Sequence, residues 1–275
     1  VSKGTGIVIT IVMTLLAVTF LFPIFLVVMN SFKNKLYISD APFALPNSDT
    51  FSGMYNYVNG IQKTGLLAAA GRSAFITICS VIVIVLLTSM AAWWITRVTC
   101  KLSTILYYLF VFAMIVPFQM VMFTLSKVTD FLHLGNMFGI IPVYLGFGAG
   151  LSLFMFCGFI KAIPISLEEA AMIDGCTPVQ TYFKVIVPML RPTMITVAIL
   201  NAMWIWNDYL LPTLVLDSEK PTIPMAVQYL RGGYGSIDMG AMMAMLVLAI
   251  LPIIVFYLTC QKYIIKGVAA GAVKG

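Results

Sequence analysis

Long uncharged runs alternate with short charged segments along the chain. No Asp, Glu, Lys or Arg occurs from Gly4 to Phe32, and one further apolar segment, 192–216, is interrupted only by Asp208. The other uncharged runs are 73–96, 102–126, 134–160 and 239–261. Because about 20 apolar residues cross a bilayer core of roughly 30 Å as a helix, the pattern predicts six transmembrane helices. We expect them near residues 7–29, 74–96, 103–125, 138–160, 193–216 and 240–263.

The composition supports a membrane protein and excludes several other classes. Hydrophobic residues make up 61% of the 275 residues and charged residues only 9%, whereas a soluble domain carries about 25% charged residues. We therefore exclude a soluble enzyme, a disordered chain and a protein that binds nucleic acid. The predicted fold class is an all-α integral membrane protein, with residues 1–275 forming one transmembrane domain. The first apolar run is longer than a signal-peptide core and is expected to stay as an anchor.

The distribution of basic residues predicts the orientation. Six spans place both termini on the same side, and that side then carries nine of the 16 Lys and Arg residues. Because cytoplasmic loops are enriched in these residues, we expect both termini to be cytoplasmic.

The predicted cytoplasmic loop 161–191 contains a signal for a first short helix. Ser166 and Glu169 have the spacing of a capping box, in which each side chain bonds the backbone N–H of the other residue. The helix is expected to end at Gly175, because glycine adopts the left-handed conformation of a helix C-terminus without strain.

A second short helix is predicted after Gly175. Thr177 and Gln180 form another capping-box pattern, and the helix is expected to end before Pro188, which cannot donate a backbone hydrogen bond. The two helices would make a protrusion with more apolar side chains than a lone loop needs, which favours a partner surface. These side chains belong to Leu167, Met172, Ile173, Tyr182 and Phe183.

Three separated motifs resemble a known family. Glu169-Ala-Ala171, three residues, Gly175, and then Val185-Ile-Val-Pro188 resemble the EAA loop of ABC importer permeases, with Val185 and Val187 in place of the usual Ile and Leu. The C-terminal Gln261-Lys-Tyr263 and the segment Trp206-Asn-Asp-Tyr209 resemble the MalG-like carbohydrate branch.

The resemblance implies a binding-protein-dependent sugar importer of the type I-like permease class, located in a bacterial or archaeal cytoplasmic membrane. Its expected partners are a MalF-like second permease subunit, two ATPase subunits, an extracellular solute-binding protein, the carbohydrate and membrane lipid. The chain has no GxxxxGK[ST] motif, so it is not expected to bind ATP or another cofactor; ATP and Mg²⁺ would be used by the ATPase subunits. The resemblance assigns ATPase coupling to Glu169, Ala170, Ala171, Gly175 and Pro188.

The fifth predicted span carries a candidate substrate path. Asp208 is the only acidic residue inside a predicted span, and carboxylates there usually face a cavity or a partner. Pro212 removes a backbone bond to the Asp208 carbonyl, so the helix is expected to bend at Asp208. The candidate residues are Asn201, Trp204, Asn207 and Asp208. A structural hydrogen-bonding role is the alternative.

An outer loop carries candidate contacts to the binding protein. These are Gln228, Tyr229, Arg231 and Tyr234, and an ordinary polar loop is the alternative. No catalytic residues and no metal ligands are expected, since His133 is the only histidine and lies far from any cysteine pair.

These observations favour a permease subunit for a neutral carbohydrate, an oligosaccharide in particular, that works by alternating access. Alternatives are a permease of the same type for a polyol or glycerol phosphate, and a self-sufficient secondary transporter. A membrane enzyme would need a clustered acid/base or metal site, which the sequence does not suggest.

Overall fold

The chain folds as helices. The computed structural model describes residues 3–230 and 238–272. Within these ranges the regular structure is helical, apart from one antiparallel bridge between Lys33 and Phe51, which confirms the all-α class. The helices are α1 (Lys3–Ser31), α2 (Lys35–Asp40), α3 (Tyr55–Thr64), α4 (Leu66–Arg97), α5 (Lys101–Ile115), α6 (Phe118–Phe131), α7 (Ile140–Ile160), α8 (Ser166–Ile173), α9 (Pro178–Thr181), a π-turn (Tyr182–Ile186), α10 (Val187–Asn207), α11 (Leu210–Val215), α12 (Ile223–Tyr229) and α13 (Met239–Ala272).

Five helical segments among the described residues are long and apolar enough to cross a membrane. They are Gly4–Ser31, Leu66–Arg97, Ile140–Ile160, Pro178–Asn207 and Met239–Lys262. The bent pair α5 and α6 makes a sixth if it crosses as one span. The number of spans therefore stays a prediction.

The predicted continuous helix over 103–125 is wrong. α5 ends at Ile115, α6 begins at Phe118, and the two axes differ by 106°. The residue before a proline avoids the helical region, and Val116 is extended with ψ 120°. Pro117 is also extended, with ψ 135°. Two successive extended residues thus turn the chain sharply between α5 and α6.

The bend predicted at Asp208 is confirmed, and it takes the form of a break in the helix. α10 ends at Asn207, Asp208 is extended with ψ 125°, and α11 begins two residues later at Leu210. The predicted span 193–216 is therefore a helix followed by a separate short helix.

Two compact units divide the chain, and the prediction of one domain over residues 1–275 stays a prediction. The first unit comprises Val1–Ala70 and Ile223–Ile254, and the second comprises Gly71–Thr222 and Val255–Gly275.

In the first unit, α3 is held by polar contacts. The hydroxyls of Ser31 and Tyr57 lie 2.7 Å apart. Lys63 Nζ bonds Asp238 Oδ2 at 2.7 Å. Burial alone would raise the pKa of Asp238, but the hydrogen bonds from Lys63, from a backbone N–H and from Asn59 outweigh it and hold the pKa below its usual range. The apolar side chains of α1 are mostly exposed, which suits contact with lipid or another helix.

In the second unit, α4, α7 and α10 enclose an apolar core with α5 packed on one side. The core residues include Ala92, Leu153, Phe156, Tyr182 and Leu190. α5 approaches α7 at Gly150, where an added Cβ would lie 2.8 Å from the carbonyl oxygen of Phe110. At Gly146, one turn earlier on α7, an added Cβ would have no heavy atom of another helix within 4 Å in the described part of the chain.

Candidate functional site: coupling loop and substrate pathway

The end of α8 has the geometry predicted from Gly175. Gly175 has φ +84°, the Cys176 N–H donates to Ala171 O at 3.0 Å, and the Gly175 N–H donates to Met172 O at 3.0 Å. This pair of bonds is a Schellman motif, in which a left-handed residue closes the last helical turn. A residue with a Cβ would be strained here.

The start of α8 differs from the prediction. Ile165 is the N-cap residue and Ser166 is already helical, so no side-chain hydrogen bond caps α8 among the described residues. The Ser166–Glu169 capping box is therefore wrong. The turn begins earlier, because Leu167 N–H donates to Pro164 O and Glu168 N–H to Ile165 O. Ser166 therefore lies inside the first turn of α8 and not before it.

The residues of the EAA pattern lie on the outside of α8. Glu169 and Ala170 are exposed and Ala171 is half-buried. Four of the predicted apolar contact residues are also exposed, with Ile173 at 85%, Phe183 at 52%, Met172 at 48% and Leu167 at 42%. The docking role of Glu169 stays a prediction.

The second capping box is confirmed, but the helix it begins does not stop. Thr177 N–H donates to Gln180 Oε1 at 2.9 Å, and Gln180 N–H donates to Thr177 Oγ1 at 3.3 Å. The helix then widens into the π-turn and continues as α10 with Pro188 as its second residue. The predicted end before Pro188 is therefore wrong, because the widened turn accommodates the ring that would clash in a regular helix.

Sequence reasoning missed the glutamate that is buried. The Glu168 side chain is only 3% exposed and pairs with Arg97, whose Nη2 and Nε lie 2.6 and 2.7 Å from Glu168 Oε1. Trp93 Nε1 donates to Glu168 Oε2 at 2.9 Å. Arg97 Nη2 also donates to Ile163 O at 2.9 Å. Trp93 and Arg97 are four residues apart and therefore share one face of α4. This spacing was the sequence signal that could have indicated a common partner for them.

Tyr182 was expected on the exposed side of the protrusion, and this expectation is wrong. The side chain is 2% exposed, and its hydroxyl lies 2.7 Å from Ser89 Oγ. Its ring lies 5.5 Å from that of Trp93. The π-turn and α8 thus both contact α4.

The candidate pathway residues divide into two groups. Asp208 Oδ2 accepts a hydrogen bond from the Tyr144 hydroxyl at 3.2 Å, and the Trp204 ring meets the Tyr144 ring edge to face at 5.5 Å. Trp204 is 39% exposed and Asn207 is also exposed. Asn201 is buried and donates to Ser152 Oγ at 3.0 Å, so the structure places it in the packing of α7 and α10.

Asp208 also has the structural role considered as the alternative. Its Oδ1 accepts the N–H groups of Leu210 at 3.0 Å and Leu211 at 3.4 Å. These bonds satisfy donors at the start of α11, which a helix terminus otherwise leaves unpaired. Tyr144 was not predicted, because an aromatic residue in an apolar run gives no signal of its partner.

The remaining candidates are described only in part. Gln228 is half-buried in α12. The side chain of Tyr229, and Arg231 and Tyr234 entirely, lie outside the described residues. Within residues 3–230 and 238–272, no group of three His, Cys, Asp or Glu could hold a metal ion.

Comparison with known proteins identifies the family. Residues 84–270 match the family described as "Binding-protein-dependent transport system inner membrane component", and the chain belongs to this family. The chain is therefore an ABC importer permease embedded in a membrane, and it is not itself an enzyme. An importer of this family also contains ATPase, solute-binding and second permease components.

Two curated relatives match nearly the whole chain. The first is the probable starch degradation products transport system permease protein AmyC of Thermoanaerobacterium thermosulfurigenes, 38% identical, with 94% of this chain and 93% of that protein covered. The second is the multiple sugar-binding transport system permease protein MsmG of Streptococcus mutans, 38% identical, with 96% and 95% covered. Among solved structures, a bacterial ABC transporter involved in the import of the acidic polysaccharide alginate matches with a TM-score of 0.78 and 22% identity. It covers 96% of this chain and 98% of that chain. That likeness shows the fold.

Proposed function

We propose that this permease imports a neutral carbohydrate, an oligosaccharide in particular, by alternating access. The observation that carries the proposal is the 38% identity to AmyC and MsmG over more than nine tenths of the chain. The complex would contain a MalF-like second permease, two ATPase subunits and an extracellular binding protein. Both termini would face the cytoplasm of a bacterial or archaeal cell.

The charge distribution supports a neutral substrate. Apart from Lys262 at the end of the last, the six apolar stretches predicted from sequence contain no Lys or Arg, so they offer no cation to pair with a phosphate or carboxylate. Asp208 would repel an anion. The alginate importer shares the fold, so the fold alone does not decide the charge of the substrate.

Trp204, Asn207 and Asp208 would contact the sugar in this proposal. An aromatic ring offers an apolar face to a sugar ring, and a few polar groups beside it accept hydroxyls. Tyr144 would orient both Trp204 and Asp208, since it contacts each.

The exposed side of α8 would receive the ATPase subunit. Glu169, Ala170 and the Schellman turn at Gly175 form its outer end, and Pro188 lies at the beginning of α10. ATP-driven movement of the ATPase subunits would displace this loop and reorient the spans.

The substrate assay uses the complete complex in proteoliposomes. We expect ATP-dependent uptake of a neutral oligosaccharide, and slow uptake of a sugar phosphate, glycerol phosphate or a polyol. Faster uptake of one of these would contradict the substrate class. Uptake without the ATPase subunits would instead support a secondary transporter.

Two matched pairs of variants test the residues. Trp204→Ala should raise KM for uptake about tenfold, since loss of an aromatic contact is worth about 1.4 kcal/mol. The control Trp94→Ala should leave KM unchanged, although Trp94 is as exposed as Trp204, at 40% against 39%. Equal KM values for the two variants would refute the pathway.

Glu169→Lys should release the ATPase subunit, whereas Glu219→Lys, the same change at another exposed site, should not. Retention by Glu169→Lys would refute the docking role.

A further inference from the structure

Three residues of α4 form one stripe that contacts loop 161–191, the coupling loop, at two of its helical segments. Ser89, Trp93 and Arg97 are spaced four residues apart, so their side chains lie on one face of the helix. Each of them contacts the loop, and together they reach both α8 and the π-turn. We call this set the α4 stripe.

At α8 the α4 stripe contacts Glu168. Arg97 and Trp93 together donate to both oxygens of this carboxylate at 2.6–2.9 Å. A bridging contact from Arg97 to Ile163 O holds the chain just before α8. Removal of a partner from an ion pair of which one side chain is only 3% exposed costs free energy. Separation of α8 from α4 would therefore leave the buried Glu168 and the partly buried Arg97 unpaired.

At the π-turn the α4 stripe contacts Tyr182. The Ser89 and Tyr182 hydroxyls lie 2.7 Å apart, and the Trp93 and Tyr182 rings are 5.5 Å apart. Trp93 thus contacts both arms of the loop, with its N–H on Glu168 and its ring on Tyr182. Because packed elements of this kind hold discrete arrangements and do not deform continuously, the loop and the C-terminal end of α4 are expected to move together.

We propose that Glu168 is a positioning residue that transmits movement of the coupling loop to α4 through the α4 stripe. This proposal rests on the proposed function of the loop and adds a route to it. Glu169 faces the ATPase subunit from the outer side of α8, while Glu168, one residue earlier, holds the inner side. Loss of Glu168 should therefore uncouple ATP hydrolysis from uptake without releasing the ATPase subunits.

The first test compares Glu168→Gln with Glu169→Gln in the assembled complex. Glutamine preserves the shape of Glu168 but removes the charge that Arg97 pairs with. We expect Glu168→Gln to retain its ATPase subunits and to hydrolyse ATP within about twofold of the parent, but to import about tenfold less sugar per ATP. Glu169→Gln should instead weaken retention of the ATPase subunits, and Glu219→Gln in an exposed segment should match the parent in both measurements.

Arg97→Lys provides a graded second variant. Lysine keeps the charge but lacks the planar fork with which the guanidinium contacts both Glu168 Oε1 and Ile163 O. For Arg97→Lys we expect the amount of sugar imported per ATP hydrolysed to lie between the values of the parent and of Glu168→Gln. A parent-like ratio in both variants would overturn the proposal.

The second test measures movement directly and needs no substrate. Spin labels at Ile173→Cys in α8 and Val98→Cys beyond α4, both exposed sites, would be placed in a variant with the native cysteines replaced. We expect the same label distance without nucleotide and with trapped ATP. In Glu168→Gln the distance should change between these states.

The two tests separate this proposal from the proposed function. A distance that already changes in the parent would overturn the transmission route and leave the sugar assignment standing. An invariant distance, together with no uptake of any neutral oligosaccharide, would overturn the substrate and leave the route standing.

Discussion

Gly150→Ala tests the packing that places α5 against α7. The new Cβ would lie 2.8 Å from Phe110 O and 3.1 Å from Met114 Cβ. Even a weak C–H···O contact needs about 3.3–3.6 Å, so α5 would have to retreat by about 0.5–0.8 Å. Because the nearest atom belongs to the backbone, rotation of a side chain cannot relieve the contact.

The magnitude follows from two opposing effects. Overpacking of a tight site costs about 1–3 kcal/mol, and a gap of this size also weakens dispersion contacts along the interface. Alanine gains up to about 1 kcal/mol over glycine in helix propensity. The net loss for Gly150→Ala should be about 0–2 kcal/mol.

Gly146→Ala is the matched control in the same helix. This variant has the same gain in helix propensity, but its new Cβ would have no heavy atom of another helix within 4 Å in the described chain. Gly150→Ala should therefore be about 1–3 kcal/mol less stable than Gly146→Ala. Thermal unfolding in detergent, followed by tryptophan fluorescence, should show several degrees between them. Equal midpoints, or a higher midpoint for Gly150→Ala, would refute the close approach of the two helices.

Three further predictions concern the loop, a cap and an ion pair. Cys176 should react with an impermeant thiol reagent only after cells are permeabilised, whereas Ser218→Cys should react from outside; the reverse pattern would invert the topology. Thr177→Ala should destabilise α9 by about 1 kcal/mol and speed amide hydrogen exchange there, and unchanged exchange would contradict the capping box. Asp238→Asn should lower stability at pH 7, because Lys63 and backbone hydrogen bonds hold the pKa of Asp238 below its usual range despite burial. That stabilisation is complete above the unfolded value of about 3.9 and is lost as the pH falls through the lower native value. The difference between variant and parent in denaturant unfolding should therefore vanish in strong acid, and a difference that persists would contradict the ion pair.

The sequence predicts helix ends well where charged residues mark them. It predicts them less well where a proline determines whether the helix continues. Pro23 and Pro252 lie inside continuous helices, whereas Pro117 separates two helices at 106°. All three look alike in sequence. The difference depends on whether neighbouring helices re-satisfy the backbone group that proline frees, and a single chain does not reveal this.

The coupling loop shows how a shift of one residue changes the assignment of a site. Gly175 and Thr177 were predictable because a left-handed glycine and a capping box are local signals. Which of two adjacent glutamates is buried depends on where α8 begins, since each residue turns the helix by about 100°. The turn at Pro164 begins the helix one residue early and directs Glu168 toward α4.

The π-turn sets the rotation of α10, and of the candidate pathway residue Trp204 on it, relative to the loop that precedes it. A π-turn amounts to one residue inserted into an α-helix, and α9 and α10 are continuous on either side of it. Deletion of one residue there would rotate everything downstream by about 100° about the helix axis. Trp204 would then turn away from Tyr144 while the loop kept its contacts with α4. The inserted residue thus sets the rotational register of α10, because it determines which face of α10 points toward Tyr144 when the loop is displaced.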